Sequence, residues 1–199
     1  SAQQSQHTQS QQTCTPQTQS DTEQPITISA KNVTLLENGV ADFAGDVVVC
    51  LQGGELKSDT AKLSRQQRSM QADGKINYHN DVIDVTSEHF EASMSDDKVS
   101  LEESNYSFAG GVGRGQASLL EINNKDQVVL NNGSFTTCPV DNDDWQLSAD
   151  KIVFSKDQGW AEAWDASLKV NNTPIIYIPY FTFPLDERRK SGFLYPKIS

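Results

Sequence analysis

The sequence predicts an all-β domain in which antiparallel strands form two facing sheets, or a solenoid-like coil, around one apolar interior. Three observations support this fold class. Apolar and polar side chains alternate along several segments, the pattern repeats about every 30 residues, and turn residues separate the repeats. No segment carries the 3.6-residue apolar stripe of an amphipathic helix.

Residues 1–24 differ in composition from the rest of the chain. They contain nine Gln, five Thr and four Ser, and their only apolar side chains are Ala2 and Cys14. Such a segment buries too little apolar surface to offset the entropy of ordering it. We therefore expect a disordered tail at 1–24, a folded domain at 25–183 and a connector at 184–199.

A serine marks the repeat in the folded part. Ser29, Ser58, Ser87, Ser118 and Ser148 are spaced 29, 29, 31 and 30 residues apart. Two strands of about ten residues and two turns account for one such period.

Glycines form a second set of repeat markers. Gly45, Gly74 and Gly133 are separated by 29 and then 59 residues, and a run of strand-forming residues follows each of them. We therefore expect each of these glycines to begin a strand.

The inward side of the strands is predicted to be apolar and rich in aromatic residues. Large side chains alternate there with small ones such as Ala92 and Ala166, so they either interdigitate into a filled core or line an open groove. The pattern leaves both alternatives open. The candidates for lining such a groove are Phe43, Val47, Val49, Ile76, Tyr78, Phe90, Tyr106, Phe108, Phe135, Phe154, Trp164 and Leu168.

The net charge and the apolar runs exclude several classes of partner. The 199 residues include 16 Lys and Arg against 27 Asp and Glu, a formal net charge of −11. Nucleic acid and a bare anionic membrane would repel such a chain. The longest apolar runs, Val47–Leu51 and Pro174–Phe181, are too short for a membrane-spanning helix. A targeting leader is expected to be absent or already removed.

Three cysteines leave one unpaired in any intrachain scheme. Cys14 lies in the polar tail and is interpreted as a tether. Cys50 lies in the run Val47–Leu51 and is interpreted as a small buried apolar residue without a redox role. Cys138 follows a predicted strand, so the redox-relevant pair is expected to be Cys14 and Cys138, bonded to each other or to something outside the chain. The spacings typical of zinc sites are absent, and we expect no metal.

Prolines dominate the C-terminal part of the chain. Four of the seven prolines fall in the last 26 residues, among them Pro174, Pro179 and Pro184. Because proline cannot donate a hydrogen bond to a neighbouring strand, this density favours an edge strand or a connector.

The same residues resemble the junction motif of the LptD family of outer-membrane lipopolysaccharide-assembly proteins. The resemblance rests on PIIYIPYFTFP at Pro174–Pro184 and RRKSGFLYP at Arg188–Pro196. The phrase NNGSFTTCP at Asn131–Pro139, Trp145 and the N-terminal Cys14 also fit the family. The repeats are similar to those of the soluble periplasmic bridge proteins of the same pathway.

This resemblance, which spans residues 25–199, implies a periplasmic β-jellyroll at the outer membrane. The domain would accept lipopolysaccharide from a soluble periplasmic bridge protein by strand addition and shelter its acyl chains between the sheets. It would then pass the lipid to its own C-terminal β-barrel, which holds a plug lipoprotein. By analogy, Cys14 and Cys138 would each form a disulfide with a barrel cysteine. The bridge-facing edge is expected at Ile26, Thr27 and Ile28.

The resemblance also assigns a role to the C-terminal junction. Its residues are Pro174, Pro179, Arg188, Arg189 and Lys190. The basic triad is either a solvated connector or a contact for lipid headgroups near the exit.

Two other functional classes compete with a lipid carrier. A polysaccharide-acting β-solenoid enzyme would need a catalytic constellation, but Asp141, Asp143 and Asp144 lack the glycine and distal glutamate of a calcium loop. The histidines share no motif with a nucleophile, so we expect neither catalysis nor a cofactor. A structural or adhesive β-repeat protein predicts a filled interior, whereas a carrier predicts an accessible apolar groove.

Overall fold

A computed structural model describes residue 14 and residues 26–51, 53–125, 127–139, 144–155, 159–171 and 173–185. Its twelve strands and one short 3₁₀ turn confirm the all-β fold class. The tail at 1–24, apart from Cys14, and the connector beyond residue 185 lie outside the described residues. The elements are β1 (Thr27–Ser29), β2 (Asn32–Leu35), β3 (Val40–Leu51), β4 (Gly54–Ser64), β5 (Ser69–His79), β6 (Ile83–Ser93), β7 (Lys98–Phe108), the 3₁₀ turn (Ala109–Gly111), β8 (Arg114–Ile122), β9 (Gln127–Phe135), β10 (Trp145–Ser155), β11 (Trp160–Val170) and β12 (Thr173–Pro184).

The strands form one antiparallel sheet of simple topology. From β3 to β12 each strand pairs with the next one in the chain, and both β1 and β2 pair with β3. In the described part of the chain, β1 and β2 therefore form one edge of the sheet and β12 forms the other. Hairpin connections of this kind are the shortest way to join antiparallel strands.

The two facing layers that the sequence predicts are the two halves of a single folded sheet. Phe154 of β10 is opposite Val128 of β9, and Phe135 lies seven positions further along β9. A straight strand would separate those positions by about 23 Å. The ring centroids of Phe135 and Phe154 are nevertheless only 5.5 Å apart. The sheet therefore folds over, and its two halves enclose the apolar interior.

The fold in the sheet passes through bends in the middle of the strands. Gly45 and Gly74 adopt φ angles of 82° and 83°. The strand register shifts between Ala44 and Val47 in β3, and between Asp73 and Ile76 in β5. An interruption of this kind bends a strand and increases its twist. A left-handed backbone carries little penalty at glycine, which explains why glycine recurs at this point of the repeat.

The prediction that these glycines begin strands is therefore wrong. Gly45, Gly74 and Gly133 lie inside β3, β5 and β9. The repeat of about 30 residues marks successive bends of one sheet rather than successive strand starts. Within the described ranges, no helix has the length and apolar character needed to cross a bilayer.

Candidate functional site

The apolar interior is lined by rows of side chains that cross the whole sheet. We call the half of the sheet that contains Val49, Tyr78 and Tyr106 wall A, and the half that contains Ala41, Phe90 and Phe154 wall B. One row of wall B follows successive register partners from one edge to the other: Val33, Phe43, Ala61, Ala72, Phe90, Leu101, Leu120, Leu130, Ile152, Ala163 and Phe181.

A second row runs beside the first on wall B. It consists of Leu35, Ala41, Leu63, Met70, Ala92, Val99, Ile122, Val128, Phe154, Ala161 and Phe183. Every member of both rows is apolar. Alternate positions of a strand face the same side, so the inward face of wall B is hydrocarbon from edge to edge.

Most of the predicted groove residues lie on the inward faces. On wall A these are Val47, Val49, Ile76, Tyr78, Tyr106, Phe108, Phe135 and Leu168, and on wall B they are Phe43, Phe90 and Phe154. Their placement in the interior is observed, whereas contact with a lipid stays a prediction.

Trp164 is an exception and corrects the predicted groove. Its neighbours Ala163 and Ala166 point into the core, and Trp164 packs against the exposed Tyr180 with ring centroids 5.5 Å apart. The ammonium of Lys151 lies 5.4 Å from the indole centroid. Trp164 therefore lies on the outer face. The left-handed bend at Asp165 interrupts the alternation on which the prediction depended.

The centre of the interior is filled by aromatic rings from both walls. The ring of Phe154 on wall B lies 4.8 Å from that of Phe108, 5.5 Å from Phe135 and 6.4 Å from Tyr106, all on wall A. The ring of Phe183 also lies 6.3 Å from that of Phe154. These distances are typical of packed aromatic pairs. The sequence left open whether the interior is a filled core or an open groove. At the centre of the domain it is a filled core of interdigitated side chains.

Among the described residues, nothing covers the interior at the edge formed by β1 and β2. Leu35 and Val33 continue the two inward rows of wall B, but they are 81% and 55% exposed. Further along the same rows, Met70 and Ala72 are fully buried. The apolar face therefore extends beyond the part of the interior that the opposite wall covers, and it ends as an open hydrocarbon surface.

This edge is broader than the predicted segment Ile26, Thr27 and Ile28. β1 begins at Thr27 and pairs with one half of β3, whereas β2 pairs with the other half. Strand β2 is not among the predicted strands, although polar and apolar residues alternate from Asn32 to Leu35.

The opposite edge is β12, which carries the prolines. It pairs with β11, and Pro179 lies opposite the left-handed Asp165, in a gap between the paired residues Trp164–Tyr180 and Ala166–Ile178. Pro174 lies beside a register shift between Leu168 and Lys169. Proline has no backbone N–H, so it is tolerated where a strand does not need to donate a hydrogen bond to its neighbour. Arg188, Arg189 and Lys190 lie outside the described residues.

Comparisons with known proteins agree with this architecture. Residues 27–160, which run from β1 to the start of β11, match the family described as "LptA/(LptD N-terminal domain) LPS transport protein". The chain belongs to this family.

Curated relatives support the LptA/LptD assignment. The chain is 37% identical over 174 residues to the LPS-assembly protein LptD of Pseudoalteromonas translucida, covering 87% of this chain and 23% of that protein. It is 33% identical to LptD of Shewanella frigidimarina with the same coverage. Identity to LptD of Idiomarina loihiensis is 33% over 171 residues, covering 86% of this chain and 22% of that protein. The chain thus spans less than a quarter of the length of these relatives.

One solved structure is also similar to part of this chain. It is LptH, described as the LptA-homologous periplasmic component of the lipopolysaccharide transport device from Pseudomonas aeruginosa. The match has 21% identity and a TM-score of 0.44, and it covers 50% of this chain and 76% of LptH.

The cysteines of this LptA/LptD-family domain correct the expected pairing. Cys14 forms a disulfide with Cys50, with a Cα–Cα distance of 5.7 Å, and Cys138 is a free, half-buried thiol. Cys50 is therefore not an inert core residue. Val49 and Leu51 point inward, so Cys50 between them points outward, where Cys14 can reach it. The backbone N–H of Cys14 also donates to a carboxylate oxygen of Glu55 at 3.5 Å.

Thiol titration of the unfolded, unreduced chain distinguishes the two pairings. The Cys14–Cys50 bond predicts one free thiol in the wild-type chain, none in Cys138→Ser and two in Cys50→Ser. A Cys14–Cys138 bond would instead leave two free thiols in Cys138→Ser, those of Cys14 and Cys50, and none in Cys50→Ser. The measurement is a colorimetric thiol count in denaturant without reductant.

A histidine–carboxylate cluster lies on the outer face of the LptA/LptD-family domain. The Nδ1 atom of His89 lies 2.6 Å from Asp73 Oδ1, and its Nε2 atom lies 3.1 Å from Glu91 Oε1. Partial burial is the largest single influence and lowers the pKa of His89, but the hydrogen bonds with Asp73 and Glu91 and the negative charges of Asp73 and Glu102 together raise it by more, so the net pKa is raised. With both ring nitrogens bound to carboxylates, this imidazole resembles a cross-strand ion pair rather than a general base. No group of side chains in the described ranges could hold a metal ion.

Proposed function

We propose that this chain is the periplasmic, lipopolysaccharide-receiving domain of an outer-membrane assembly protein. It acts as a carrier rather than an enzyme. One observation supports this proposal above the others: the two apolar rows of wall B run without interruption to an edge at which Val33 and Leu35 are exposed. A protein built only as a structural array would have no reason to leave its core face uncovered there.

Acyl burial supplies the affinity in this proposal. An acyl chain of about twelve methylenes contributes roughly 10 kcal/mol when buried, at about 0.8 kcal/mol per methylene. Repulsion between screened surface charges costs on the order of 1 kcal/mol per pair. A chain with net charge −11 can therefore hold a phosphorylated lipid, provided that the phosphates stay in water.

The lipid enters at the open edge in this proposal. Its acyl chains first cover Val33, Leu35 and the half-buried Phe43. Since aromatic rings fill the centre, further passage requires the walls to separate around Phe154. The closed centre is then the resting state of the carrier, and the open edge is its point of loading.

The same edge also receives the protein partner. The outer sides of β1 and β2 pair with no other strand in the described ranges, so a strand of a soluble bridge protein can extend the sheet there. At the other edge, β12 leads toward the remainder of the assembly protein, its barrel and plug lipoprotein. Arg188, Arg189 and Lys190 then contact headgroups or link the two parts.

Photo-crosslinking at Leu35 tests the proposal. A photoreactive residue at Leu35 is expected to capture purified lipopolysaccharide covalently, because its side chain continues the inward apolar row. Thr34 is the matched control, since it is the adjacent residue of β2, is also exposed and faces the opposite side. The readout is a lipopolysaccharide-positive band shift on a denaturing gel.

The outcomes at these two positions separate the functional classes. Capture at Leu35 with background labelling at Thr34 supports the carrier. Equal labelling at both positions, or none at either, contradicts it and favours a structural β-repeat protein.

A further inference from the structure

A solvent-open cleft lies where the pairing between β8 and β9 is interrupted. Arg114 pairs with Thr136, and regular pairing resumes only at Ala117 and Gly133. Between these points the backbone N–H of Gln116 donates to Ser134 Oγ at 3.1 Å instead of to a carbonyl. The resulting concavity has a volume of about 620 Å³. That volume is within the range of small-molecule sites.

Six exposed polar side chains line this cleft without a hydrogen-bond or ion-pair partner in the described part of the chain. They are Asp84, Thr86, Asn105, Ser107, Gln116 and Gln146. None of these side chains makes a hydrogen bond or an ion pair with another described residue. Their donors and acceptors are therefore available to a ligand.

The sheet arranges these groups as a lattice. Thr86, Asn105 and Gln116 are successive register partners on β6, β7 and β8, and Asp84 and Ser107 form a second row beside them. With strands about 4.8 Å apart, three partners span about 10 Å. Strands hold such a lattice more rigidly than loops would.

Two features of the cleft restrict the ligand's charge. Among its described lining residues, Arg114 is the single cation and Asp84 the single carboxylate. The guanidinium of Arg114 is already engaged, since Nε donates to the Cys138 carbonyl at 3.0 Å and Nη2 to the Pro139 carbonyl at 2.9 Å. The cleft thus offers no uncommitted positive charge to a phosphate.

The remaining chemistry matches a neutral polyol. Amide and hydroxyl side chains both donate and accept hydrogen bonds, as sugar hydroxyls do. Trp145 also lines the cleft and is held edge-on against Phe135, with ring centroids 6.2 Å apart. An aromatic ring of this kind can pack against the C–H face of a sugar.

We propose that this cleft is a binding site for a neutral saccharide. None of its lining residues belongs to the two apolar rows of wall B, although Tyr106 borders both the cleft and the interior. The proposal does not depend on the proposed carrier function. The saccharide can be a free glycan or the sugar portion of a lipopolysaccharide. Binding experiments with each kind of saccharide distinguish these two sources.

Side-chain amide NMR of the full 199-residue chain tests this site. Chitobiose and cellobiose serve as free neutral glycans, and deacylated, dephosphorylated lipopolysaccharide serves as the lipid-derived glycan. Saturable shifts are expected at the amides of Asn105, Gln116 and Gln146 and at the indole N–H of Trp145. Asn105→Ala should weaken the apparent affinity about tenfold, since it removes hydrogen bonds to the ligand.

Asn77→Ala is the matched control variant. Asn77 is exposed on β5, opposite Thr86, and lies outside the cleft. This variant should bind as the wild type does. Response to the disaccharides identifies free glycan as sufficient, and response to deacylated, dephosphorylated lipopolysaccharide alone identifies the lipid-derived source. The proposal is overturned if none of the three probes gives saturable shifts, or if Asn105→Ala and Asn77→Ala behave alike.

Discussion

Phe154→Ala is expected to lower the free energy of unfolding by about 3–5 kcal/mol. Phe154 is almost fully buried, and its ring contacts Tyr106, Phe108 and Phe135 across the interior. Truncation removes one of the aromatic side chains that join wall B to wall A, and it leaves a cavity that neighbouring rings cannot fill without leaving their own contacts. Urea denaturation followed by tryptophan fluorescence measures the change.

Tyr180→Ala is the matched control for this prediction. Tyr180 is also aromatic, but it lies on the outer face and is 51% exposed. Its loss should cost less than about 1 kcal/mol. If the two variants were equally stable, the aromatic contacts across the interior would not hold the walls together.

Gly115→Ala is expected to destabilise the domain by about 3 kcal/mol, the upper end of the range for overpacking. A Cβ atom at Gly115 would lie 1.9 Å from the Ser134 carbonyl oxygen and 2.7 Å from the Tyr106 hydroxyl. The Tyr106 hydroxyl also donates to that carbonyl, so neither group can move without breaking the other contact. The backbone of β9 must therefore shift.

Gly53→Ala separates this clash from backbone strain. Gly53 has a φ of 73°, but a Cβ atom there would meet no other atom within 4 Å. Only the strain of a left-handed backbone, about 1–2 kcal/mol, is expected. Thermal unfolding by circular dichroism compares the two variants. If Gly115→Ala lowered the thermal stability less than Gly53→Ala does, the space between β8 and β9 at Gly115 would be large enough for a methyl group.

The strands and their inward faces could be predicted because both depend on local alternation. Val47, Val49, Ile76 and Tyr78 were assigned to the interior from a period of two, and they lie there. The prediction of inward-facing residues failed where a bend in a strand shifts the alternation by one residue. Trp164 precedes the left-handed Asp165, and the alternation on one side of that bend does not continue on the other.

The cysteines illustrate a different limit. Alternation within Val47–Leu51 was sufficient to place Cys50 on the outer face, but the apolar composition of the run suggested burial instead. The partner of Cys50 could not be predicted, because disulfide connectivity depends on which distant residues approach each other.

By itself, the sequence determined an acidic all-β domain of the LptD type, with a repeat of about 30 residues and an apolar face on its strands. Those features depend on residues that are close together in the sequence, so local sequence patterns are sufficient to predict them. Only the tertiary structure decided that one folded sheet makes both walls, that rings close its centre, and that Val33 and Leu35 remain exposed at one edge. These outcomes depend on contacts between strands far apart in the chain, which no local pattern contains.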